Sequence, residues 1–206
     1  MDRDAVIAAL VESEWEMFSR VRNVGGPASC QMDHNTFSIM RSSQFATWDA
    51  EMLESYADDL KAAREQGRNL MTEKYARMME RTFPGEYANL AGQLPPVDTA
   101  ARECVERIVA ANVRWKEAVG EQYPHLNDRG RPLCSIDDRP GLPSLETYMR
   151  AELQTYSPRT LALYDAQVKR RLAEGTSEAA ENLLHQVRHY GFDSLEAAEA
   201  HLARRG

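Results

Sequence analysis

Apolar residues recur along most of the chain at steps near 3.6 positions, which is the spacing of amphipathic helices. In the first such segment, Ile7, Val11, Phe18 and Val21 share one stripe. The sequence has no internal repeat and no strand-like alternation of useful length, so the pattern favours an all-α fold. The predicted helices are 4–22, a second that starts between 36 and 47 and runs to about 66, 69–82, 98–119, 145–156, 158–174, 177–190 and 194–204.

Glycines, prolines and polar capping residues mark where these helices begin and end. The run Val24-Gly25-Gly26-Pro27 ends the first helix, because paired glycines and a proline disfavour helical backbone. Asp193, with Glu196 three residues later, predicts the cap of the last helix. Four prolines fall within 122–143 and predict a long irregular loop, of a kind that is often functional or mobile. The chain is therefore predicted to form one all-helical domain, 1–206, of about eight helices.

The composition excludes several classes of protein. The chain has 206 residues, 43% of them hydrophobic, and its 25 Lys and Arg against 32 Asp and Glu give a net charge of −7. This acidic balance argues against nucleic acid or an anionic membrane surface as the main partner. The first residues are acidic, unlike a secretory signal, and no segment approaches the roughly 20 apolar residues of a membrane span. We therefore expect a cytoplasmic protein.

The cysteines give no reason to expect a metal centre, and no motif predicts a cofactor. Three cysteines form an odd set without CxxC spacing, which makes a poor disulfide framework and a poor zinc site. Cys30 follows the glycine turn and has His34 four residues on, so it is a candidate nucleophile with a candidate base. A lone cysteine is more often a small buried apolar residue, and both interpretations stay open.

Several polar residues fall where the helical projection places the core. Glu14 lies near the middle of the apolar stripe of the first helix, and Glu152 lies near the middle of the stripe of 145–156. If the second helix starts at Thr36, Arg41 and Gln44 lie on its apolar face. Burial of a charged group costs several kcal/mol unless the group is paired, so these positions need an explanation.

Two explanations are open at this point. In the structural one, Glu14 or Glu152 pairs with Arg41 or Arg150 and locks helices together. In the functional one, the same residues line a small-molecule pocket, where carboxylates bind an amine or move a proton and Arg or Gln holds a carboxylate. Direct salt bridges without free volume favour the first explanation, and an enclosed cavity beside these residues favours the second.

Three stretches of the chain are more distinctive than helical patterning requires, EWEMFSRVRNVGGPASCQMDHNTFSIMRSSQFATW (14–48), SLETYMRAELQTYSPRTLALY (144–164) and YGFDSLEAAEAHL (190–202). Together they resemble a family of small, soluble microbial proteins catalogued as domain of unknown function 4125. The resemblance covers nearly the whole chain and supplies no substrate. Pro27 stands where the family pattern suggests an arginine. The matching positions are Glu14, Trp15, Asn23, Gly25, Gly26, Cys30, Gln31, Arg41, Gln44, Trp48, Glu146, Tyr148, Arg150, Glu152 and Tyr156.

The projection and the resemblance select overlapping residues, and this overlap favours an enzyme or specific binder of a small amino-acid-like molecule. In that hypothesis Glu14 or Glu152 binds an amine or acts as general base, and Cys30 is a candidate nucleophile. The predicted ligand-binding residues are Arg41 and Arg150 for a carboxylate, Gln31 and Gln44 for orientation, and Trp15, Trp48, Tyr148 and Tyr156 around the ligand. The alternative is a non-catalytic interaction or accessory protein, acting as a homodimer or beside a larger enzyme, in which the same residues tie helices together.

Overall fold

The computed structural model describes residues 2–22, 29–127 and 131–205, and the side chains of all of these except Ser29 and Cys30. The described residues contain eleven α-helices, three short 3₁₀ turns and no strand. The helices are α1 Arg3–Ser19, α2 His34–Phe45, α3 Ala50–Glu65, α4 Leu70–Thr82, α5 Pro84–Leu90, α6 Thr99–Gln122, α7 Pro124–Asn127, α8 Leu145–Leu153, α9 Pro158–Glu174, α10 Glu178–His189 and α11 Leu195–Ala203. The predicted all-helical fold is confirmed, with more helices than the eight expected.

Most of the helices begin at a short polar side chain that accepts a backbone N–H of the first turn. Ser144 caps α8 and Ser157 caps α9 in this way, and Pro158 then takes the first helical position, where its missing N–H costs nothing. The predicted cap of α11 was wrong by one residue. Ser194, not Asp193, accepts the backbone N–H of Ala197, at 3.2 Å.

The predicted second helix is interrupted in the structure. Its first part, α2, ends at Phe45, and α3 begins at Ala50. A buried glutamine from α9 holds the chain between them, because the Gln167 amide donates to the carbonyl of Thr47 at 3.1 Å and accepts the backbone N–H of Asp49 at 2.9 Å. Two backbone groups at the break are therefore bonded without a continuous helix.

Two hydrophobic clusters hold the bundle together. The larger cluster joins α1, α2, α3, α4, α6, α8 and α9 around the fully buried rings of Trp48, Tyr56 and Tyr164. The smaller one lies between the end of α6, α7, α10 and α11, with Val119 and Val187 among its members. The predicted loop 122–143 contains α7 and a 3₁₀ turn at Ser135–Asp137. Among the described residues, no helix is long and apolar enough to cross a membrane.

Candidate functional site

Arg41 lies at the centre of a buried group of charged side chains. From α2, its Nε and Nη2 form a two-pronged ion pair with both carboxylate oxygens of Glu14 on α1. Its Nη1 donates to Gln44 Oε1 at 2.6 Å and to Glu152 Oε1 on α8 at 3.0 Å. Glu14 is completely buried, and Arg41 and Glu152 are only 5% and 4% exposed. One guanidinium thus joins three helices through direct contacts.

Lys74 extends this group from α4. Its Nζ pairs with the second oxygen of Glu152 at 2.5 Å, and its side chain is 2% exposed. The same ammonium lies 3.6 Å from the ring centroid of Tyr148, a cation–π contact. Arg131 lies 5.0 Å from that ring as well. Tyr148 is half-buried, so this end of the group approaches the protein surface.

Two tyrosine hydroxyls complete the carboxylates' hydrogen bonds. Tyr56 donates to Glu14 Oε1 at 2.6 Å, and Tyr156 donates to Glu152 Oε1 at 2.8 Å. Burial and the neighbouring carboxylates raise the pKa of both phenols well above the usual value of a tyrosine. Both hydroxyls therefore keep their protons and act as donors. We call Glu14, Arg41, Gln44, Tyr56, Lys74, Glu152 and Tyr156 the central network.

The charges of the central network balance, with two carboxylates against two cations. Burial alone would raise the pKa of Glu152, but Arg41 and Lys74 outweigh burial and hold it well below its usual range. Burial alone would lower the pKa of Arg41, and the carboxylates of Glu14 and Glu152 raise it instead. Arg41 and Glu152 therefore both stay charged at neutral pH. Such a pair resists protonation and deprotonation, which are the steps of acid–base catalysis.

Two predicted binding residues lie beside the end of α1, outside the central network. Gln31 is buried, and its side-chain amide donates to the carbonyls of Phe18 and Val21 at 2.9 Å each. These contacts fasten the Gln31 side chain to the end of α1 and to the residues that follow it. Trp15 is half-buried and packs edge-on against the ring of His34, with 4.8 Å between centroids.

Two further predicted residues are used by other parts of the fold. Trp48 is buried among aromatic rings, with its centroid 5.5 Å from that of Tyr56 and 6.1 Å from that of Tyr156. Arg150 points away from the central network and binds two acids, Glu106 at 2.7 and 2.9 Å and Glu146 at 2.7 Å. The carboxylates that Arg150 holds therefore come from the protein itself. The candidate nucleophile Cys30 has a side chain outside the described residues.

Lys74 and the hydroxyl of Tyr56 are the members of the central network that the sequence prediction missed. The signal for Lys74 was present, because Leu70, Lys74 and Met78 recur at four-residue steps on one face of α4. The ring of Tyr56 packs in the larger hydrophobic cluster. The contact that the prediction missed is the hydrogen bond from its hydroxyl to Glu14.

A further buried carboxylate lies between α9 and α10. Glu178 accepts hydrogen bonds from the Tyr164 hydroxyl at 2.7 Å and from the Gln167 amide at 3.4 Å. Within the described ranges it has no Lys, Arg or His within ion-pair distance, and the nearby Arg171 pairs with Glu181 at 2.7 Å. Burial therefore dominates and raises the pKa of Glu178 to about 7, although its hydrogen bonds and Arg171 oppose the shift.

Two surface grooves run along α1, and neither is lined by a residue of the central network. One, of about 360 Å³, lies between α1 and α3 and is lined mainly by small and apolar residues such as Ala9 and Ala57. The other, of about 500 Å³, is open to solvent beside Trp15 and Arg64. Over residues 2–22, 29–127 and 131–205, no three His, Cys, Asp or Glu side chains converge as a metal site.

The chain belongs to the family described as "Protein of unknown function (DUF4125)", whose model matches residues 4–200. The resemblance inferred from the three distinctive stretches is thus confirmed. The chain matches no curated protein and no solved structure.

Proposed function

We propose that this chain is a non-catalytic interaction or accessory protein, in which the central network ties helices together. The observation that supports this function is that all three guanidinium nitrogens of Arg41 already have partners within the protein. Each of its three guanidinium nitrogens donates to a protein oxygen, on Glu14, Gln44 or Glu152. A two-pronged ligand carboxylate would have to displace Gln44 or one of the two glutamates, and separating the buried glutamate Glu14 from Arg41 is strongly unfavourable.

The state of Glu152 supports the same function. A general base works best when its pKa is near the working pH, because it must accept a proton during the reaction. Arg41 and Lys74 hold the pKa of Glu152 well below its usual range, against the effect of burial. This carboxylate is therefore suited to hold two cations in place and poorly suited to take a proton from a substrate.

One observation favours a second candidate function, the binding or conversion of a small amino-acid-like molecule. The central network reaches half-buried Tyr148, whose ring lies near Lys74 on α4 and near exposed Arg131. If Arg131 and Tyr148 move aside, Lys74 and Glu152 present an ammonium and a carboxylate together, which is the complement of an amino acid's own charges. Partner, compartment and oligomeric state remain predictions in both functions.

Native-state hydrogen exchange separates the two functions. A structural tie holds α2 and α8 closed until the whole bundle unfolds, so the amides of Phe45 and Leu153 should exchange only through global unfolding. The measured opening free energy of these amides should then equal the free energy of unfolding in urea. A smaller opening free energy that is insensitive to urea would reveal a local opening of the site and overturn the proposal.

A ligand panel gives the complementary test. We expect free amino acids, their decarboxylated amines and short dicarboxylates, each at several millimolar, to leave the thermal midpoint of the wild-type protein unchanged. A saturable rise would instead establish the second function, since a ligand that binds only the folded state raises its stability. The same panel is applied to Gln44→Ala, which removes a contact of Arg41 without removing a charge and so tests whether a response comes from the central network. Exposed Gln66→Ala is its control.

A further inference from the structure

Arg77 is a buried cation without a carboxylate partner. It lies on α4, is 7% exposed, and donates from Nη2 to the carbonyl of Pro95 at 2.6 Å. Its Nε is buried and has no hydrogen-bond acceptor. In the described parts of the chain, no Asp or Glu oxygen lies within 4.0 Å of the Arg77 guanidinium, whereas Arg41 has two carboxylates within that distance. The carbonyl contact fixes the orientation of the guanidinium and leaves its charge uncompensated.

Two of the charged groups near Arg77 are themselves arginines. Glu73 is the acid that acts on it, but both oxygens of Glu73 are taken by Arg68 at 2.8 Å each. Arg102, on the first turn of α6, is a second cation within electrostatic reach. Burial, followed by Arg102 and Arg68, lowers the pKa of Arg77 despite the opposing effects of Glu73 and Tyr87. Arg77 therefore has two arginines near it and an acid that is already paired with one of them, in a chain whose net charge is −7.

Two groups near Arg77, on Arg102 and Tyr87, have hydrogen-bond donors that could bind an anion. Toward the described residues, Arg102 uses only its Nε, which donates to the carbonyl of Val97 at 3.0 Å. The phenol of Tyr87 on α5 also lies within electrostatic reach of Arg77, and its hydroxyl has no protein partner in the described residues. Asp98 does not neutralise the cluster through a salt bridge, because its carboxylate caps α6 by accepting the N–H of Ala101 at 2.7 Å.

We propose that Arg77, together with Arg102 and the hydroxyl of Tyr87, binds an oxyanion where α4, α5 and the Pro95–Pro96 segment meet. The bound group is a phosphate or a carboxylate of a small molecule. A guanidinium binds either group through paired N–H donors, and the bond strengthens when both partners are charged. This site shares no residue with the central network and does not depend on the function proposed for it.

Thermal unfolding in inorganic phosphate tests the site directly. At constant ionic strength set with sodium chloride, we expect the midpoint of the wild-type protein to rise saturably with phosphate. Arg77→Met should lose this response, and Arg102→Met should weaken it several-fold. Arg159→Met is the matched control, because Arg159 is exposed and its acids lie 3.6 and 3.8 Å away. The control should respond like the wild-type protein.

A parallel series in acetate identifies the ligand group. A larger response to phosphate assigns the site to phosphate esters, and a larger response to acetate assigns it to carboxylates. Without either anion, Arg77→Met should be as stable as the wild-type protein or more stable, because it removes an unpaired buried charge. If Arg77→Met is less stable and keeps the full phosphate response, Arg77 only holds Pro95 and the proposal fails. A wild-type protein without any saturable response also overturns it, as does an Arg102→Met variant that responds like the control.

Discussion

Glu152 and Glu178 are two buried carboxylates in one bundle, and they differ chiefly in their cationic neighbours. They are 4% and 3% exposed, and each accepts a hydrogen bond from a buried tyrosine, Tyr156 at 2.8 Å and Tyr164 at 2.7 Å. Glu152 has Lys74 at 2.5 Å and Arg41 at 3.0 Å. Glu178 has no cation at such a distance among the described residues. Burial and tyrosine contacts are therefore matched, and the cations are what differs.

The two pKa values move in opposite directions because of that difference. Burial penalises the charged form of both carboxylates. At Glu152 the two cations overcome this penalty and the pKa falls below its usual range. At Glu178 burial prevails and the pKa rises to about 7. Burial thus makes a carboxylate sensitive to its partners, and the partners decide whether it is a fixed charge or a group that titrates near neutral pH.

Removing the charge of Glu152 is expected to have the largest effect. Glu152→Gln leaves the two cations of the central network with only the carboxylate of Glu14, so one buried positive charge is uncompensated. We expect the free energy of unfolding at pH 7 to fall by about 3–5 kcal/mol, the usual cost of breaking a buried pair. Urea unfolding followed by circular dichroism measures this.

An exposed pair is the control for this loss. Glu51 lies 3.8 Å from Arg159, and both side chains are more than half exposed. Glu51→Gln should change the free energy of unfolding by no more than about 0.5 kcal/mol, because solvent screens such a pair. If Glu152→Gln costs as little as Glu51→Gln, the central network is not a tie between helices.

The charge of Glu178 should instead appear as a pH dependence. Its folded pKa, about 7, exceeds the usual value of 4.5, so the folded state holds the proton more tightly than the unfolded state does. The stability linked to this proton is complete below pH 4.5 and is lost as the pH rises through about 7. At 1.36 kcal/mol per pKa unit, the loss is about 3 kcal/mol.

The difference between wild-type protein and Glu178→Gln isolates this contribution from that of other titrating groups. Gln cannot lose a proton, so the variant should gain relative to the wild-type protein by about 3 kcal/mol between pH 4.5 and pH 8. Urea unfolding at four pH values gives the curve. The lowered pKa of Glu152 has the opposite sign and matters only in acid, where its stabilisation is lost as the pH falls. A flat difference curve would contradict the assignment of Glu178.

The helices could largely be predicted from the sequence, because their signals are local. Ser157 and Pro158 begin α9 and Gly175 ends it in the left-handed conformation at φ 67°, within a few residues of the helix itself. The break between α2 and α3 depends on Gln167, which contacts Asp49 across 118 positions of the chain. No local pattern contains that information, so the prediction joined the two helices.

The sequence predicts which residues belong to the site better than it predicts which of them pair with one another. Projection correctly placed Glu14, Arg41 and Glu152 inside the bundle, because the 3.6-residue repeat fixes which face a residue occupies. Gln44 is half-buried beside them. The same geometry places Arg150 and Glu152 on different faces of α8, because residues two positions apart are rotated by about 200° around the helix axis. Which cation meets which carboxylate depends on how α4 and α8 pack, and that contact joins positions 78 residues apart.

Deleting single hydroxyl groups is the finest test of the comparison. Tyr156→Phe removes a donor from an ionised carboxylate and should cost about 1.5–3 kcal/mol at every pH from 5 to 8, because Glu152 stays charged throughout. Tyr164→Phe should cost less at pH 5, about 1 kcal/mol, because Glu178 is then protonated and the lost hydrogen bond is neutral. Its cost should grow above pH 7, since the Tyr164 hydroxyl opposes the rise in the pKa of Glu178. Tyr190→Phe, at an exposed tyrosine, is the control for both. Equal and pH-independent costs for the two variants would mean that the two carboxylates carry the same charge, and the distinction drawn from their cations would be wrong.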